Sequence, residues 1–288
     1  MKISGFTFIR NAILYDYPIV ESIKSILPIC NEVVVAVGKS DDDTLSLIQS
    51  IISDKVKIIE TEWDLNLREG GQVLAEETNK AMSAISEDSD WCFYIQGDEV
   101  VHEKYHKTIL QACQQWKDTE AVEGLLFKYL HFYGSYSYVG DSRKWYRREI
   151  RIIRNLKKIK SYKDAQGFRL DNKKLHVKEL DAYIYHYGWV KPPEQQSAKI
   201  KNFLSHWHKD DYIEKNRPKD SFDYSAIDSL KIFTGSHPSV MQDRIKRKNW
   251  DFNFDPTKKN FGLKNKFLYA LEKVTGIRIG EYKNYKKI

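Results

Sequence analysis

Strand-like and helix-like segments alternate four times within the first hundred residues of this chain. The strand-like segments are short and almost wholly apolar, as is typical of parallel strands that are buried on both faces of a sheet. Their alternation with helical segments is the pattern of a doubly wound α/β sheet. The four predicted strands cover residues 4–10, 32–37, 56–60 and 90–95.

The second half of the chain has a different pattern. Strand-like segments at residues 122–132, 149–154 and 182–187 are followed by helical segments up to residue 207, around residues 240–250 and at residues 263–274. We expect a mixed or antiparallel extension of the same sheet, followed by a helical tail. The tail is basic, because 13 Lys or Arg face only 5 Asp or Glu from Asp243 onward, while the whole chain has a net charge of +7.

Composition excludes several classes of protein. No apolar run approaches the ~18–20 residues that a transmembrane helix needs, and Arg10 and Asn11 interrupt the N-terminal apolar stretch too early for a signal peptide. The three cysteines lie far apart without a CxxC spacing, which indicates a reduced, cytoplasmic protein without structural zinc. The basic tail would attract anionic lipid or nucleic acid, or it is simply a solvated helical surface.

Polar residues follow each of the four predicted strands. The carboxyl ends of parallel strands share one edge, where open α/β sheets bind ligands. After the last strand, Asp98 and Glu99 offer adjacent carboxylates that suit Mg²⁺ or Mn²⁺ carrying a diphosphate. Alternatively, the same two residues begin the next helix as its N-terminal cap. The strand-end residues are Arg10, Asn11, Gly38, Lys39, Ser40, Thr61, Glu62, Gln96, Gly97, Asp98 and Glu99.

Several short motifs occur in a characteristic order. A Ser-x-Asp-x-Thr turn at residues 40–44 follows the second strand, and Gln-Gly-Asp-Glu at residues 96–99 follows the fourth. An Arg-rich strand at residues 151–154 and a strand ending near His186 come later. In this order, over residues 2–201, the chain resembles the family 2 glycosyltransferases of the GT-A fold. It is most similar to soluble bacterial members that build lipopolysaccharide cores and surface polysaccharides.

The resemblance implies a GT-A-like, doubly wound mixed sheet with a helical C-terminal extension. Residues 1–200 would form the glycosyltransferase domain, with the nucleotide sugar bound by about residues 1–100 and the acceptor by about residues 101–200. Residues 201–288 would form the basic extension. The implied activity is an inverting, metal-dependent transfer of a sugar from a nucleotide-sugar donor to a saccharide or lipid-linked saccharide acceptor.

The resemblance also assigns roles to individual residues. The implied metal ligands for Mg²⁺ or Mn²⁺ are Asp98, Glu99 and His186, although a histidine between two tyrosines could equally be a hydrogen-bonded core residue. For any single arginine, a solvated surface role is the alternative to a diphosphate contact. The implied donor-binding residues are Arg10, Asn11, Ser40, Asp42, Arg68, Gly71, Gln96 and Arg151, with Lys191 as a further diphosphate candidate.

An inverting transferase also needs a base that takes the proton of the acceptor hydroxyl. Asp164 is our first candidate, because it lies between the Arg-rich strand and the His strand, where the family has its acidic loop. Asp141 is the second candidate. Either aspartate could instead be a turn residue beside glycine.

Departures from the family pattern leave other functions open. The family's base-contacting acidic residue aligns with Val37, and the first aspartate of its metal motif aligns with Gln96. A Gln-x-x-Arg-Trp signature of processive synthases is missing from the sequence, which favours a non-processive enzyme. The alternatives are a degenerate transferase that binds nucleotide or glycan without turnover, and a basic nucleic-acid-binding protein. The second is disfavoured because the sequence has no nucleic-acid-binding signature.

The C-terminal tail contains one amphipathic segment. Leu263, Phe267, Leu271 and Val274 share a helical face, and lysines flank it. This pattern predicts either a helix that lies on the inner membrane surface, or a helix whose apolar stripe packs back on the catalytic domain.

Overall fold

Four parallel strands form the first half of the main sheet in the computed structural model, which describes residues 1–64, 66–67, 69–205, 207, 212, 215 and 219–288. The first strand pairs in parallel with the second and the fourth, and the second pairs with the third. The order across the sheet is therefore β3-β2-β1-β4. These strands are β1 (Ile3–Ile9), β2 (Glu32–Gly38), β3 (Val56–Thr61) and β4 (Trp91–Tyr94).

Helices cover both faces of this parallel half. Successive side chains of a strand point to opposite faces, so Val33 and Val35 pack with the first, second and fourth helices, whereas Val34 and Ala36 pack with the third. The helices are α1 (Ile19–Ile26), α2 (Thr44–Gln49), α3 (Gln72–Ser83) and α4 (His106–Trp116), and a short 3₁₀ turn, Glu69–Gly71, precedes α3.

The second half extends the sheet with mostly antiparallel strands. β8 joins β4 to β6, β7 pairs with the end of β6, and the long strand β12 runs parallel to β6 and antiparallel to β5. A separate three-stranded sheet has the order β11-β10-β9. The bounds are β5 (Glu99–Val101), β6 (Gly124–Tyr133), β7 (Ser135–Gly140), β8 (Arg148–Arg154), β9 (Ile159–Tyr162), β10 (Gly167–Leu170), β11 (Lys173–Lys174) and β12 (His176–Trp189).

The C-terminal segment returns to the main sheet twice. β13 pairs with β7, and β14 pairs with β12, where Asn284 and Tyr285 are buried. None of the helices in the described part of the chain is both long and apolar enough to cross a membrane. The elements are α5 (Pro193–Ser205), β13 (Leu230–Ile232), α6 (Gln242–Lys246), α7 (Leu263–Thr275) and β14 (Lys286–Lys287).

The predicted mixed, doubly wound α/β sheet is confirmed, and so is each of the four strand–helix alternations. The helix α2 ends at Gln49, and Ile52, beyond its end, is fully exposed to solvent. The sequence pattern also missed β5, β7 and the small sheet, which are short or lie in polar segments. Asp98 and Glu99 do not cap a helix: Glu99 begins β5.

Candidate active site

The spatial order of the parallel strands reverses between β1 and β4. From β1 the chain adds β2 and β3 on one side, and β4 then lies on the other side of β1. Such a switch point opens a crevice at the carboxyl ends of the two central strands, where open α/β sheets bind ligands. Arg10 and Asn11 follow β1 at this edge, and Gln96, Gly97 and Asp98 follow β4.

Hydrogen bonds join the loop after β1 to the loop after β2. Asn11, in a left-handed backbone conformation, donates from Nδ2 to Asp41 Oδ2 at 2.9 Å and accepts the Asp41 N–H at 2.8 Å. Its own N–H donates to Ser40 Oγ at 3.1 Å. Arg10 Nε donates to the Lys39 carbonyl oxygen at 2.8 Å. The structure therefore brings together three of the predicted donor-binding residues, Arg10, Asn11 and Ser40, as one rigid rim of the crevice.

Two other predicted donor-side residues have structural contacts, Asp42 at this rim and Gly71 beside Asp164. The Asp42 carboxylate accepts the N–H groups of Leu14 at 2.8 Å and Thr44 at 3.0 Å, so it caps the turn into α2. Gly71 has φ +70°, and a methyl group there would lie only 2.7 Å from Asp164 Cβ. Arg68, also predicted to bind the donor, lies outside the described residues.

Asp98 is buried between a lysine and a histidine. Lys199 Nζ donates to Asp98 Oδ2 at 2.8 Å and to the Gly188 carbonyl oxygen at 2.9 Å, and His186 Nε2 lies 3.7 Å from Asp98 Oδ1. Burial alone would raise the pKa of Asp98, but the Lys199 ammonium and His186 hold that pKa below its usual range. Glycine at 188 permits this close packing, since a methyl group there would lie 2.6 Å from Asp98 Oδ2.

Glu99, adjacent in sequence, is held by a different set of partners. Arg151 donates to both of its carboxylate oxygens, at 2.8 and 2.7 Å, in a fully buried bidentate pair. Tyr129 Oη donates at 2.6 Å and the Gln96 N–H at 3.1 Å. These four donors saturate the carboxylate. The predicted metal ligand Glu99 and the predicted diphosphate contact Arg151 are thus paired with each other in the structure.

A second histidine, absent from the sequence-based site, links this buried cluster to the surface. His131 Nδ1 lies 3.3 Å from His186 Nδ1, and His131 Nε2 lies 2.7 Å from the Tyr146 carbonyl oxygen. Burial lowers the pKa of both imidazoles, which favours their neutral forms. His131 lies on a strand that the sequence predicts, but only the parallel pairing of β6 with β12 places it opposite His186.

Lys191, a predicted diphosphate contact, is also buried. Its ammonium donates to the carbonyl oxygens of Tyr15, at 2.6 Å, and Asp16, at 3.2 Å. Burial holds the pKa of Lys191 well below its ordinary value, and Lys199 lowers it further. The lysine therefore fastens the loop after β1 to the segment after β12.

A cleft of about 390 Å³ adjoins this buried polar core. It brings together three predicted residues, Gln96, Arg151 and Asp164, which lie far apart in sequence. Burial raises the pKa of Asp164 above its ordinary value. The cleft also contains Glu149, which sequence reasoning missed. Burial raises the pKa of Glu149 to about 8, and its Oε2 has no hydrogen-bond partner among the described residues.

Asp141, the second candidate for the base, lies in a different environment from Asp164. It accepts hydrogen bonds from Tyr269 Oη at 2.5 Å, Lys259 Nζ at 2.9 Å and Lys273 Nζ at 3.1 Å. Burial would raise the pKa of Asp141, but these three donors lower it. All three donors come from the C-terminal segment, so Asp141 anchors α7.

Two of the predicted metal ligands are engaged by cationic side chains in the structure. Among the described residues, no group of three or more His, Cys, Asp and Glu side chains lies close enough to hold an ion. Of the predicted ligands, Glu99 is saturated by Arg151 and Tyr129, and one oxygen of Asp98 carries the Lys199 ammonium. A carboxylate that already accepts from an ammonium is a poor ligand for a second cation, because the two positive charges repel.

Comparisons with known proteins give matches of low identity. No protein-family model and no curated protein matches the chain. Among solved structures, S. aureus TarS matches at 18% identity over 70% of this chain and 39% of that chain, with a TM-score of 0.43. TarS 1–349 in complex with UDP matches at 18% identity over 72% and 65%, with a TM-score of 0.41.

A third match is glucosyl-3-phosphoglycerate synthase from Mycobacterium tuberculosis in complex with Mn²⁺, UDP and glucosyl-3-phosphoglycerate. It has 17% identity over 46% of this chain and 45% of that chain, with a TM-score of 0.31. The chain therefore spans less than two thirds of the length of each of these three matched chains.

Proposed function

We propose that this protein transfers a sugar from a nucleotide-sugar donor to a hydroxyl group of a saccharide or lipid-linked saccharide. The observation that supports this most directly is the position of Asp98, Lys199 and His186 beneath the switch point of the sheet. A nucleotide sugar needs polar hydrogen-bond donors for its diphosphate at such an edge, and the Lys199 ammonium lies there. The sequence resemblance to family 2 glycosyltransferases supports the same reaction, with inversion and without processive synthesis.

In this proposal Asp164 is the base. Its carboxylate lines the cleft and is partly desolvated, which makes it more basic than a free aspartate. Glu149, on the same cleft, has a pKa of about 8 and is therefore protonated at pH 7. A protonated carboxyl group cannot accept the acceptor's proton, but it can donate a hydrogen bond to an oxygen of the bound substrate.

Lys199 supplies fixed positive charge in the same proposal. Bond breakage at the anomeric carbon leaves negative charge on the nucleoside diphosphate, and an ammonium at the edge of the sheet would stabilise that charge. The sequence-based prediction of Mg²⁺ or Mn²⁺ bound to Asp98 stays a prediction beside it. The two possibilities, charge from Lys199 and charge from a divalent ion, differ in a measurable way. Donor binding depends on a divalent ion only if the ion supplies the charge.

A thermal-shift panel with nucleoside diphosphates and nucleotide sugars, each with and without Mn²⁺, tests the proposal. A ligand at ~100 times its dissociation constant should stabilise the fold by about 2.7 kcal/mol. Release of nucleoside diphosphate in the presence of oligosaccharide acceptors then separates an enzyme from a degenerate protein that binds donor without turnover. Stabilisation by none of the nucleotides would refute the proposal.

An Asp98→Asn variant makes this panel sharper. If Asp98 ligates an ion, the variant loses only the Mn²⁺-dependent part of nucleotide binding. If Lys199 supplies the charge, Mn²⁺ has no effect on either protein, and the variant changes donor affinity equally with and without the ion. The proposal places the reaction in bacterial surface glycan synthesis, with the acceptor chosen by the second half of the sheet.

A further inference from the structure

The C-terminal helix α7 attaches to the body of the protein by its polar face. Tyr269 and Lys273 contact Asp141, and Glu272 accepts from Arg143 Nη1 at 2.8 Å and from Arg278 Nε at 2.9 Å. These ion pairs are partly buried and form a network, which holds a helix better than isolated surface pairs do. Ion pairs and hydrogen bonds therefore orient the helix, and the half-buried Leu268 and Leu271 lie on the same inward face.

The opposite face of α7 carries its large apolar side chains into solvent. Leu263 is 87% exposed, Phe267 69% and Val274 86%, and Ala270 between them is exposed as well. Their spacings of four, three and four residues place them in one line along the helix, which we call the outer stripe. An amphipathic helix on a globular protein ordinarily buries this stripe and exposes its charges. In α7 the apolar stripe is exposed instead.

This arrangement contradicts one of the two alternatives that the sequence left open. The apolar stripe does not pack back on the catalytic domain in the structure. Leu271, which the sequence assigned to the stripe, is half-buried, and Ala270 takes its place on the exposed line. Exposed apolar side chains that lie contiguously are rare on monomeric proteins and mark surfaces for a partner or a membrane.

The charges around the outer stripe identify the partner. Residues 256–288 contain nine Lys or Arg and only two acidic residues, Glu272 and Glu281. Both of these glutamates face the body of the protein, where Arg147 and other arginines bind them. Lys264 and Lys266 are exposed beside the stripe. The outward surface thus combines apolar side chains with uncompensated positive charge, which complements an anionic lipid surface.

We propose that the outer stripe and its flanking lysines dock this protein on a membrane surface that contains anionic lipid. Phe267, Leu263 and Val274 enter the boundary between headgroups and acyl chains, while the lysines contact lipid phosphates. Each lysine near such a surface strengthens binding about fivefold, the equivalent of about 1 kcal/mol. This inference rests on the exposed face alone and is independent of the proposed glycosyl transfer.

Sedimentation with phosphatidylglycerol vesicles tests the docking. We expect the full chain to bind these vesicles at low salt, to bind phosphatidylcholine vesicles poorly, and to dissociate as salt rises. The double variant Phe267→Ser/Val274→Ser should lose binding, and Lys264→Gln/Lys266→Gln should weaken it by roughly 25-fold. Point substitutions are preferable to truncation, because Asn284 and Tyr285 beyond α7 are buried in the body.

Ile52 provides the matched control. It is also a fully exposed apolar side chain, but it lies after α2 and outside the basic tail. Ile52→Ser should leave vesicle binding unchanged. Three results would overturn the proposal: no sedimentation at low salt, equal loss of binding in Ile52→Ser, or a lipid-free dimer that the Phe267→Ser/Val274→Ser variant dissociates. The last result would assign the stripe to a second copy of the chain.

Discussion

The two sides of the candidate site hold their carboxyl groups in opposite electrostatic surroundings. On the β4 side, Asp98 and Glu99 are buried, but each is paired with a cation: Asp98 with the half-buried Lys199, and Glu99 with the fully buried Arg151. On the cleft side, Glu149 is nearly as buried, and one of its oxygens has no hydrogen-bond partner among the described residues. Burial with a partner keeps a carboxylate charged, whereas burial without one keeps the carboxyl group neutral.

This difference assigns the two sides different chemistry and different pH dependence. The pKa of Asp98 is lowered, so its pairing stabilises the fold above the ordinary aspartate pKa of 3.8, and this stability is lost as pH falls. The pKa of Glu149 is raised to about 8, so the fold loses stability as pH rises from about 4.5 to 8. The β4 side, which we call the paired side because its carboxylates are paired with cations, is suited to bind charged groups. The cleft side is suited to donate or accept protons.

The largest effect should come from the proposed base on the cleft side. Asp164→Asn cannot accept a proton, so we expect turnover to fall about 10³-fold while donor affinity stays near wild type. Steady-state kinetics together with donor titration would measure both quantities. Asp141→Asn serves as the comparison, because its carboxylate anchors α7 and not the cleft. If Asp141→Asn loses turnover and Asp164→Asn keeps it, the two assignments exchange.

A somewhat smaller effect should follow on the paired side from Lys199→Met. The substitution removes the cation beside Asp98, and loss of one group that stabilises developing charge typically lowers turnover about 10²-fold. Lys201→Met, which changes an exposed lysine two residues away, should have no effect. The dependence of activity on Mn²⁺ shows whether Lys199 or a metal ion supplies the positive charge. Full activity of wild type in excess chelator agrees with Lys199 as the charge, and loss of activity there favours the predicted metal ion.

Glu149 should make the stability of the fold depend on pH. The raised pKa of Glu149 penalises the folded state at alkaline pH. The stability gain of Glu149→Gln over wild type should therefore be larger at pH 8 than at pH 5, by about 3–4 kcal/mol. Urea unfolding at both values of pH gives the comparison. Asp181→Asn, at an exposed carboxylate, is the control. A wild-type stability that does not decline toward pH 8 relative to the variant would contradict the buried neutral carboxyl group.

The sequence predicted the paired side better than the cleft side, for a physical reason. Asp98 follows an apolar strand, and the rule that strand ends meet at one edge does not depend on side-chain packing. Lys199 could not be found this way, because it reaches Asp98 from α5, a hundred residues later in the chain. The bidentate pairing of Glu99 with Arg151 likewise depends on how β8 aligns with β4, which local patterns do not encode.

Glu149 shows most clearly what the sequence alone could not predict. In the sequence it is one charged residue at the start of an apolar strand, where a solvent-facing position is the ordinary expectation. Its burial results from the way the small sheet and the C-terminal Asn284 close over β8. Asp164, in contrast, was proposed from the family resemblance, and in the structure it lines the cleft and packs closely against Gly71. Tertiary packing determines which carboxyl groups are buried and therefore have shifted pKa values.

The smallest predicted effect tests how tightly the paired side is built. In Gly188→Ala the new methyl group would lie 2.6 Å from Asp98 Oδ2 and 2.7 Å from His186 Cε1, so both side chains must shift. Overpacking of this kind typically costs about 1–3 kcal/mol. The matched control is Gly262→Ala, where nothing lies within 4 Å and the backbone has an ordinary negative φ. Urea unfolding of both variants measures the difference, and ¹⁵N-edited spectra of the histidines report whether His186 has moved. Equal stability of the two variants would mean that Asp98 and Lys199 have room to rearrange, and the paired side would then be no more rigid than the cleft it adjoins.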